Sequence, residues 1–563
     1  MRCLNSLISL SGPNSLIGRV GLTIRAVPTF PTVRAIPTIQ TVFILIVAFG
    51  LRLIALGSRS LWYDEAFAVL FAEKGFSAML AGTLTQSGGA AADVHPILYY
   101  TGLWGWMKVF GAAPVMVRLP GVFAGLVTIA LGCRLAGELL GRKAARAGAI
   151  FLALSPFLVH YSQEARMYSF LALWLTAATW AYLRAVRGGS NHVSRVTCHV
   201  SRRSHSVPWY LAFAIFAALG QYTHNLAWLY LVALALTPLW LRRWRDLART
   251  VLAGLVAVLL YLPWLLNAPG QFAKIRLAYW TARPEPAQLL TTLTNFTVNL
   301  PLSGLWLAAG FAAAVLAGVL GVYQVAKWNV WEEKKSRVRR ELKEMREGRG
   351  TLVGPGWLLY LGLFPALLMF LVSQIVPVYI DRALLPAAGM YLLALSWALT
   401  GSDLPRAISV FTLVILVIAA GAGLIFHYHS AGFPNSSFAE LDRYLGAVVR
   451  PGDKILHSNK LSFFPAHYYD RALAQSFLAD PPGSGSDTLA LPTQQALGLF
   501  AVADPAQAVG EAGKVWFVIY DRAVREYQAL GFADHPHLAY LRTQFTYSGS
   551  RAFDDLQVYE FTR

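Results

Sequence analysis

Cysteine is nearly missing from this 563-residue chain, which has only Cys3, Cys133 and Cys198. None falls in a stretch read as extracytoplasmic, so no disulfide framework is expected. Charge is also scarce, at 14% of residues, and acidic side chains are the scarcer sign, with 29 Asp and Glu against 48 Lys and Arg. With 56% hydrophobic residues and a mean hydropathy of +0.49, the chain exceeds the roughly 45–50% apolar share of soluble globular proteins. The sequence therefore reads as a polytopic membrane protein. A net charge of +19 raises the possibility of a nucleic-acid partner, and the distribution of the charges decides it. Residues 428–563 hold 11 Lys and Arg against 14 Asp and Glu, a net of −3, which leaves +22 for residues 1–427. The excess sits in the apolar part, where Lys and Arg collect in cytoplasmic loops. No nucleic acid is needed to explain it.

Residues 1–38 are basic and carry Pro28, Pro31 and Pro37 without the apolar core and cleavage site of a secretory signal. They read as a cytoplasmic tail, or as sequence upstream of the true start. Apolar segments follow at about 39–56, 115–137, 147–162, 168–186, 208–223, 226–241, 250–268, 302–326, 356–376, 382–400 and 407–427, so eleven spans are expected. With the N-terminus inside, the strongly basic gaps at 138–146, 187–207, 242–249 and 327–355 all fall in the cytoplasm. The last gap, nine Lys and Arg against five Glu, reads as a solvated helix or a partner surface. The loops at 57–114 and 269–301, the turns near 163, 224 and 377–381, and the C-terminus then lie outside. Residues 95–111 are apolar, short and rich in Trp and Tyr, a composition suited to a helix along the outer interface. After 427, strand patterns at 453–457, 514–521 and 555–561 alternate with helical ones near 437–449 and 522–530. Residues 428–563 are expected to form a small extracytoplasmic α/β domain behind a membrane domain at 39–427. No Gly-rich phosphate fingerprint follows its strands, and no chemistry is assigned to it.

Four polar clusters fall on the outer side under this topology. In Ser60-Leu61-Trp62-Tyr63-Asp64-Glu65-Ala66, two carboxylates follow an aromatic pair near the end of the first span. They serve either as a general base, Asp64 with Glu65, or as caps of a helix starting at Ala66. His95-Pro96 offers an imidazole at a helix start, as a hydrogen-bonding group or, less economically, a metal ligand. In Ser162-Gln163-Glu164-Ala165-Arg166-Met167-Tyr168, helical spacing puts Glu164 and Tyr168 on one face and Arg166 on a neighbouring one. Arg166 there binds phosphate or satisfies Glu164. Arg382, in Asp381-Arg382-Ala383-Leu384-Leu385-Pro386, meets a lipid phosphate or snorkels as an anchor. His224, in a further outer turn, belongs to the same rim.

In order, these motifs resemble those of GT-C membrane glycosyltransferases, in the branch of protein O-mannosyltransferases and aminoarabinose transferase-like enzymes. The resemblance covers roughly residues 39–400; Ile97 stands where that branch often has a second proline. It implies an α-helical GT-C fold and inverting transfer of a sugar from a polyprenyl-phosphate donor to an extracytoplasmic lipid, polysaccharide or protein acceptor. It implies Asp64 as base and Arg166 and Arg382 as phosphate contacts; Glu65 is expected to be catalytic beside Asp64, and His95, Tyr99, Glu164, Tyr168 and His224 to bind the substrate. Some GT-C enzymes use a divalent cation; this branch generally does not, and no metal is assigned. A plasma-membrane location follows. The rival is a transporter or lipid flippase gated by the same groups, but transporters favour midplane charges and internal repeats, whereas these clusters lie at span ends.

Overall fold

The structure is a computed structural model and describes residues 38–88, 90–188, 206–240, 244–278, 281–341, 354–430, 432–481 and 488–563. The basic tail, Cys3, Cys198 and most of the 187–207 gap lie outside the described residues. Ile39–Arg563 forms one compact unit. Helix α1 (Thr38–Leu53) leads into α2 (Tyr63–Glu73), α3 (Phe76–Leu84), a short hairpin of β1 (Gln86–Ser87) and β2 (Ala90–Ala91), and α4 (Leu98–Phe110). Then come α5 (Pro114–Leu139), α6 (Arg142–Leu154), α7 (Pro156–Ser162), α8 (Tyr168–Gly188), α9 (Val207–Thr223) and α10 (Ala227–Trp240). The helical part ends with α11 (Trp244–Leu265), α12 (Ala268–Ala278), α13 (Ala287–Val298), α14 (Gly304–Glu341), α15 (Pro355–Ser373), α16 (Leu385–Thr400) and α17 (Arg406–His429).

Among the described residues, six helices are long and apolar enough to cross a membrane, in α5, α11, α14, α15, α17 and Asp381–Thr400, which ends in α16; the bent pair α6 and α7 makes a seventh. These match seven of the eleven expected segments. The other four are helical but do not meet that measure. The apolar parts of α1 and α10, Ile39–Leu53 and Ala227–Leu239, are short, as is α9 at 17 residues, against the roughly 20 that a bilayer asks for. Helix α8 has the length, 21 residues, but spends it on Trp, Tyr, Thr and Arg. Helix length and composition therefore carry six or seven spans.

The 55° bend between α6 and α7 has a local cause. Ser155 precedes Pro156, whose ring disfavours helix at the residue before it, and the Ser155 hydroxyl accepts from the Leu158 N–H, starting a new helix. The break is buttressed from α1, where the buried Arg52 guanidinium donates to Ser162 Oγ (3.2 Å) and to the carbonyls of Leu152 and Ala153. Helix α5 passes close to the end of α7 because it presents glycine there: a Cβ at Gly121 would lie 2.9 Å from the Ser162 carbonyl oxygen.

Residues beyond 432 build a six-stranded sheet from β3 (Lys454–His457), β4 (Gln475–Leu478), β5 (Ala501–Val502), β6 (Lys514–Tyr520), β7 (Thr546–Phe553) and β8 (Leu556–Thr562), in the order β5-β4-β3-β6-β8-β7. The first four in that order run parallel, and β8 runs antiparallel to both its neighbours, β6 and β7. Three strands and two helices, α18 (Phe438–Val448) and α22 (Asp521–Ala529), lie where the sequence pattern put them. Strands β4, β5 and β7 are short or exposed, and no alternation of apolar residues announces them. The sheet is coupled to the first loop through α19 (Lys460–Tyr469), whose aromatic rings pack on α2: Phe464 meets Tyr63 edge-on at 5.7 Å. The Tyr469 hydroxyl accepts from the Leu61 N–H (2.9 Å) and Arg471 pairs with Glu73.

Candidate active site

Helix α2 begins at Tyr63, not at Ala66, so Asp64 and Glu65 are both in its first turn, where acidic side chains face the positive end of the helix dipole. Consecutive helical residues point about 100° apart, and the two carboxylates have separate surroundings. Glu65 is fully buried; Arg118 of α5 grips it through Nε (2.8 Å) and Nη2 (2.6 Å), and the Ala165 N–H donates to the same carboxylate (2.7 Å). Arg118 also donates to the carbonyls of Leu56, Arg59 and Ser60. Glu65 thus fixes the loop before α2 and the turn after α7, and its oxygens are occupied by protein donors.

Asp64 retains access, with its side chain 17% exposed. One of its oxygens lies 3.6 Å from an Arg166 nitrogen and 3.6 Å from an Arg382 nitrogen. Arg166 further donates to the Asp64 carbonyl and to the Tyr100 hydroxyl, each at 3.3 Å. Burial works against its charge, but Asp64 and the neighbouring tyrosines outweigh that and hold the guanidinium firmly protonated. Arg382 lies over the Tyr168 ring (5.2 Å) and the Trp62 ring (5.8 Å), so stacking sets its plane. The residue before it, Asp381, takes hydrogen bonds from Gln288, Thr292 and Asn295 of α13, which anchor the start of the 3₁₀ turn Asp381–Leu384.

Residues 163–167 are not helical, which corrects the face-sharing expected for Glu164, Arg166 and Tyr168. The Ala165 N–H is drawn to Glu65, and Gln163 turns its amide to the carbonyls of Arg52 and Ile54; these bonds replace the helical ladder. Arg166 consequently pairs with Asp64 and not with Glu164. Glu164 meets His160 through one oxygen (3.3 Å), while the other is buried with no hydrogen-bond partner among the described residues. The ring of Tyr168 lies 5.7 Å from that of His224.

His95 pairs with Asp93 (2.9 Å) rather than with the Asp64 loop, and α4 starts three residues later, at Leu98. Burial raises the Asp93 carboxyl, but His95 and the Val94 N–H more than compensate and hold it below the usual carboxylate range. His95 faces His224 at 6.3 Å between rings. Burial, with His95 and both arginines nearby, keeps His224 neutral. Tyr99 packs edge-on against Tyr100 and Phe170, one step removed from Arg166. Among the described residues, no three His, Cys, Asp or Glu side chains converge as metal ligands.

Asp64, Arg166, Arg382, Tyr168, His224 and His95 therefore form one continuous cluster, with Tyr99 and Glu164 at its edges and Glu65 beneath it. Sequence reasoning missed Arg118, Asp93 and Tyr100. Arg118 carried a usable signal, an arginine inside a long apolar run, which is costly unless paired.

A sequence profile of the dolichyl-phosphate-mannose-protein mannosyltransferases matches residues 94–266, the stretch that holds His95, Arg166, Tyr168 and His224. No curated protein matches the chain by sequence. In fold, the chain is similar to ArnT from Cupriavidus metallidurans bound to undecaprenyl phosphate, with TM-score 0.56 and 13% identity over 93% of this chain and 98% of that one. It is also similar to the apo oligosaccharyltransferase of Archaeoglobus fulgidus, with TM-score 0.51 and 13% identity over 91% of this chain and 73% of the other. The profile match and the fold agree with the resemblance read from the motifs, to GT-C glycosyltransferases of the protein mannosyltransferase and ArnT type.

Proposed function

We propose that the chain is an inverting glycosyltransferase that moves a sugar from a polyprenyl-phosphate donor to a hydroxyl or amine of an extracytoplasmic acceptor, be it protein, glycolipid or cell-wall polymer. The profile match and the fold support glycosyl transfer in general. The observation that carries the finer reading is one carboxylate shared between two guanidiniums, at the N-terminal ends of α2 and of the apolar helices α8 and α16.

The geometry supports a simple sequence. Without substrate, Asp64 balances Arg166 and Arg382. A donor phosphate competes for both arginines, since a planar guanidinium grips phosphate oxygens in pairs, and the carboxylate is released to face the acceptor. Asp64 then takes the acceptor proton as the acceptor oxygen or nitrogen bonds to the anomeric carbon. The bond from that carbon to the phosphate oxygen breaks, its electron pair leaves with the polyprenyl phosphate, and configuration inverts. The phosphate gains a negative charge in this step, and two fixed guanidiniums stabilise it. Glu65 holds the loop and takes no proton. Residues 428–563 fit an extracytoplasmic domain that steadies α2 through α19, on a multi-pass plasma-membrane protein with a cytoplasmic N-terminus. A transporter gate needs no carboxylate held against two arginines at span ends.

Turnover of a polyprenyl-phosphate sugar by the chain in nanodiscs tests this reading. Asp64→Asn is expected to lower turnover by ~10²–10⁴ with donor binding retained, and Arg382→Lys to weaken donor binding because the planar fork is lost. Normal turnover in Asp64→Asn overturns the assignment.

A further inference from the structure

Beside the Asp64 cluster, buried donors gather around one amide. Asn225 Nδ2 donates to the Val94 carbonyl (2.7 Å) and to Gln271 Oε1 (3.0 Å), and its Oδ1 accepts from the Tyr261 hydroxyl (2.6 Å). The Val94 carbonyl can only accept, which fixes the Asn225 amide; that in turn fixes Gln271 with its oxygen toward Asn225 and its Nε2 pointing away. This Nε2 is buried and has no acceptor among the described residues, in a side chain only 3% exposed.

Two neighbours share the condition. His224 accepts from the Leu226 N–H through Nδ1 (3.1 Å), so the neutral ring carries its proton on Nε2, which is buried with no acceptor among the described residues. Trp264 packs with Tyr261 and Ile97, and its indole N–H is likewise buried with no partner among the described residues. Three N–H donors in three side chains, each at most 6% exposed, are costly to bury unanswered. Three unanswered donors suit a ligand rich in oxygen acceptors.

We propose that Gln271, His224 and Trp264 form the subsite for the glycosyl unit of the donor, and that it selects a sugar presenting hydroxyl or other oxygen acceptors over one presenting a protonated amine. This inference rests on the transferase reading above and names the class of sugar transferred. His224 joins the subsite to the phosphate end through its contact with Tyr168, over which Arg382 lies.

The test uses the full chain in nanodiscs with two donors, a polyprenyl-phosphate hexose and a polyprenyl-phosphate 4-amino sugar. The unaltered chain is expected to prefer the hexose. Trp264→Phe keeps the ring and removes the donor, and is expected to raise KM for the hexose about 3- to 10-fold with kcat little changed, as for a lost binding contact. Gln271→Glu replaces the free N–H donors by a carboxylate oxygen, and is expected to shift the hexose-to-amino-sugar ratio of kcat/KM by tenfold or more toward the amino sugar. The subsite is overturned if the unaltered chain prefers the amino sugar, or if both variants keep the original KM and ratio while Asp64→Asn still abolishes turnover. Full turnover in Asp64→Asn sinks the transferase reading instead, so the two failures are distinct.

Discussion

Glu65→Gln changes one atom and should unfold the protein before it touches the chemistry. In the native state, both Glu65 oxygens are engaged by Arg118 and the Ala165 N–H, in a site closed to solvent. Glutamine removes the charge and turns one acceptor into a donor, leaving the Arg118 guanidinium buried and uncompensated. Removing one partner of such a pair costs about 3–5 kcal/mol, against a total stability of about 5–15 kcal/mol for a native protein. Replacing both partners, Glu65→Leu with Arg118→Met, buries neither charge and should recover part of the loss. Recovery is incomplete because Arg118 also holds the carbonyls of Leu56, Arg59 and Ser60. The assay is thermal unfolding in detergent, with yield of monodisperse protein, for the parent, both single variants and the pair. The expected order of stability is parent, pair, then either single variant. A Glu65→Gln protein with parental yield and unfolding temperature but no turnover would refute this reasoning and make Glu65 part of the chemistry.

Orientation is open to a direct measurement. A reporter active only outside the cytoplasm, fused after Arg563, should be active, and a cytoplasmic reporter silent, because the strongly basic gaps share one side; the opposite pattern removes Asp64 from the outer face. A second expectation concerns pH. Burial raises the Asp442 carboxyl to about 8, with Gln475 opposing and Asp470 adding, while the unfolded chain titrates near 3.8. Between these values the native state binds the extra proton, so stability falls as pH rises through this window. Thermal unfolding at pH 5 and pH 8 should show that loss, and Asp442→Asn should flatten it; an equal slope in both proteins refutes the assignment.

The sequence made some parts of this molecule legible and hid others for physical reasons. Long apolar runs are a direct consequence of bilayer thickness, so α5, α14 and α17 could be read without a structure. Short helices such as α10 carry the same composition over fewer residues, and their count is ambiguous. Strands β3, β6 and β8 are apolar and buried in the centre of the sheet, whereas β7, mostly exposed, has no pattern to detect. Asp64, Arg166 and Arg382 were legible as types at span ends. Their gathering at one face could be expected, but not the direct pairing of Asp64 with both arginines, because residues 64 and 382 are brought together by packing that no local periodicity encodes. Glu65 shows the limit most plainly: next to Asp64 and chemically alike, it is separated from it in role by a partner, Arg118, 53 residues away.

The same contacts explain why one carboxylate of the pair keeps its freedom. A helix start turns adjacent side chains to different sides, so only one can face the arginine at the protein interior while the other faces the cleft. Arg118 binds Glu65 at hydrogen-bonding distance through two nitrogens, but Arg166 and Arg382 each lie 3.6 Å from the Asp64 carboxylate. A pair at 2.6 Å with both carboxylate oxygens engaged resists exchange, whereas two looser contacts can be surrendered to a phosphate without breaking a buried network. The tight pair therefore holds the backbone, through the carbonyls of the loop and the N–H of Ala165, in the register that the loose one needs. On this argument the chemistry at Asp64 depends on Glu65 being permanently unavailable for it.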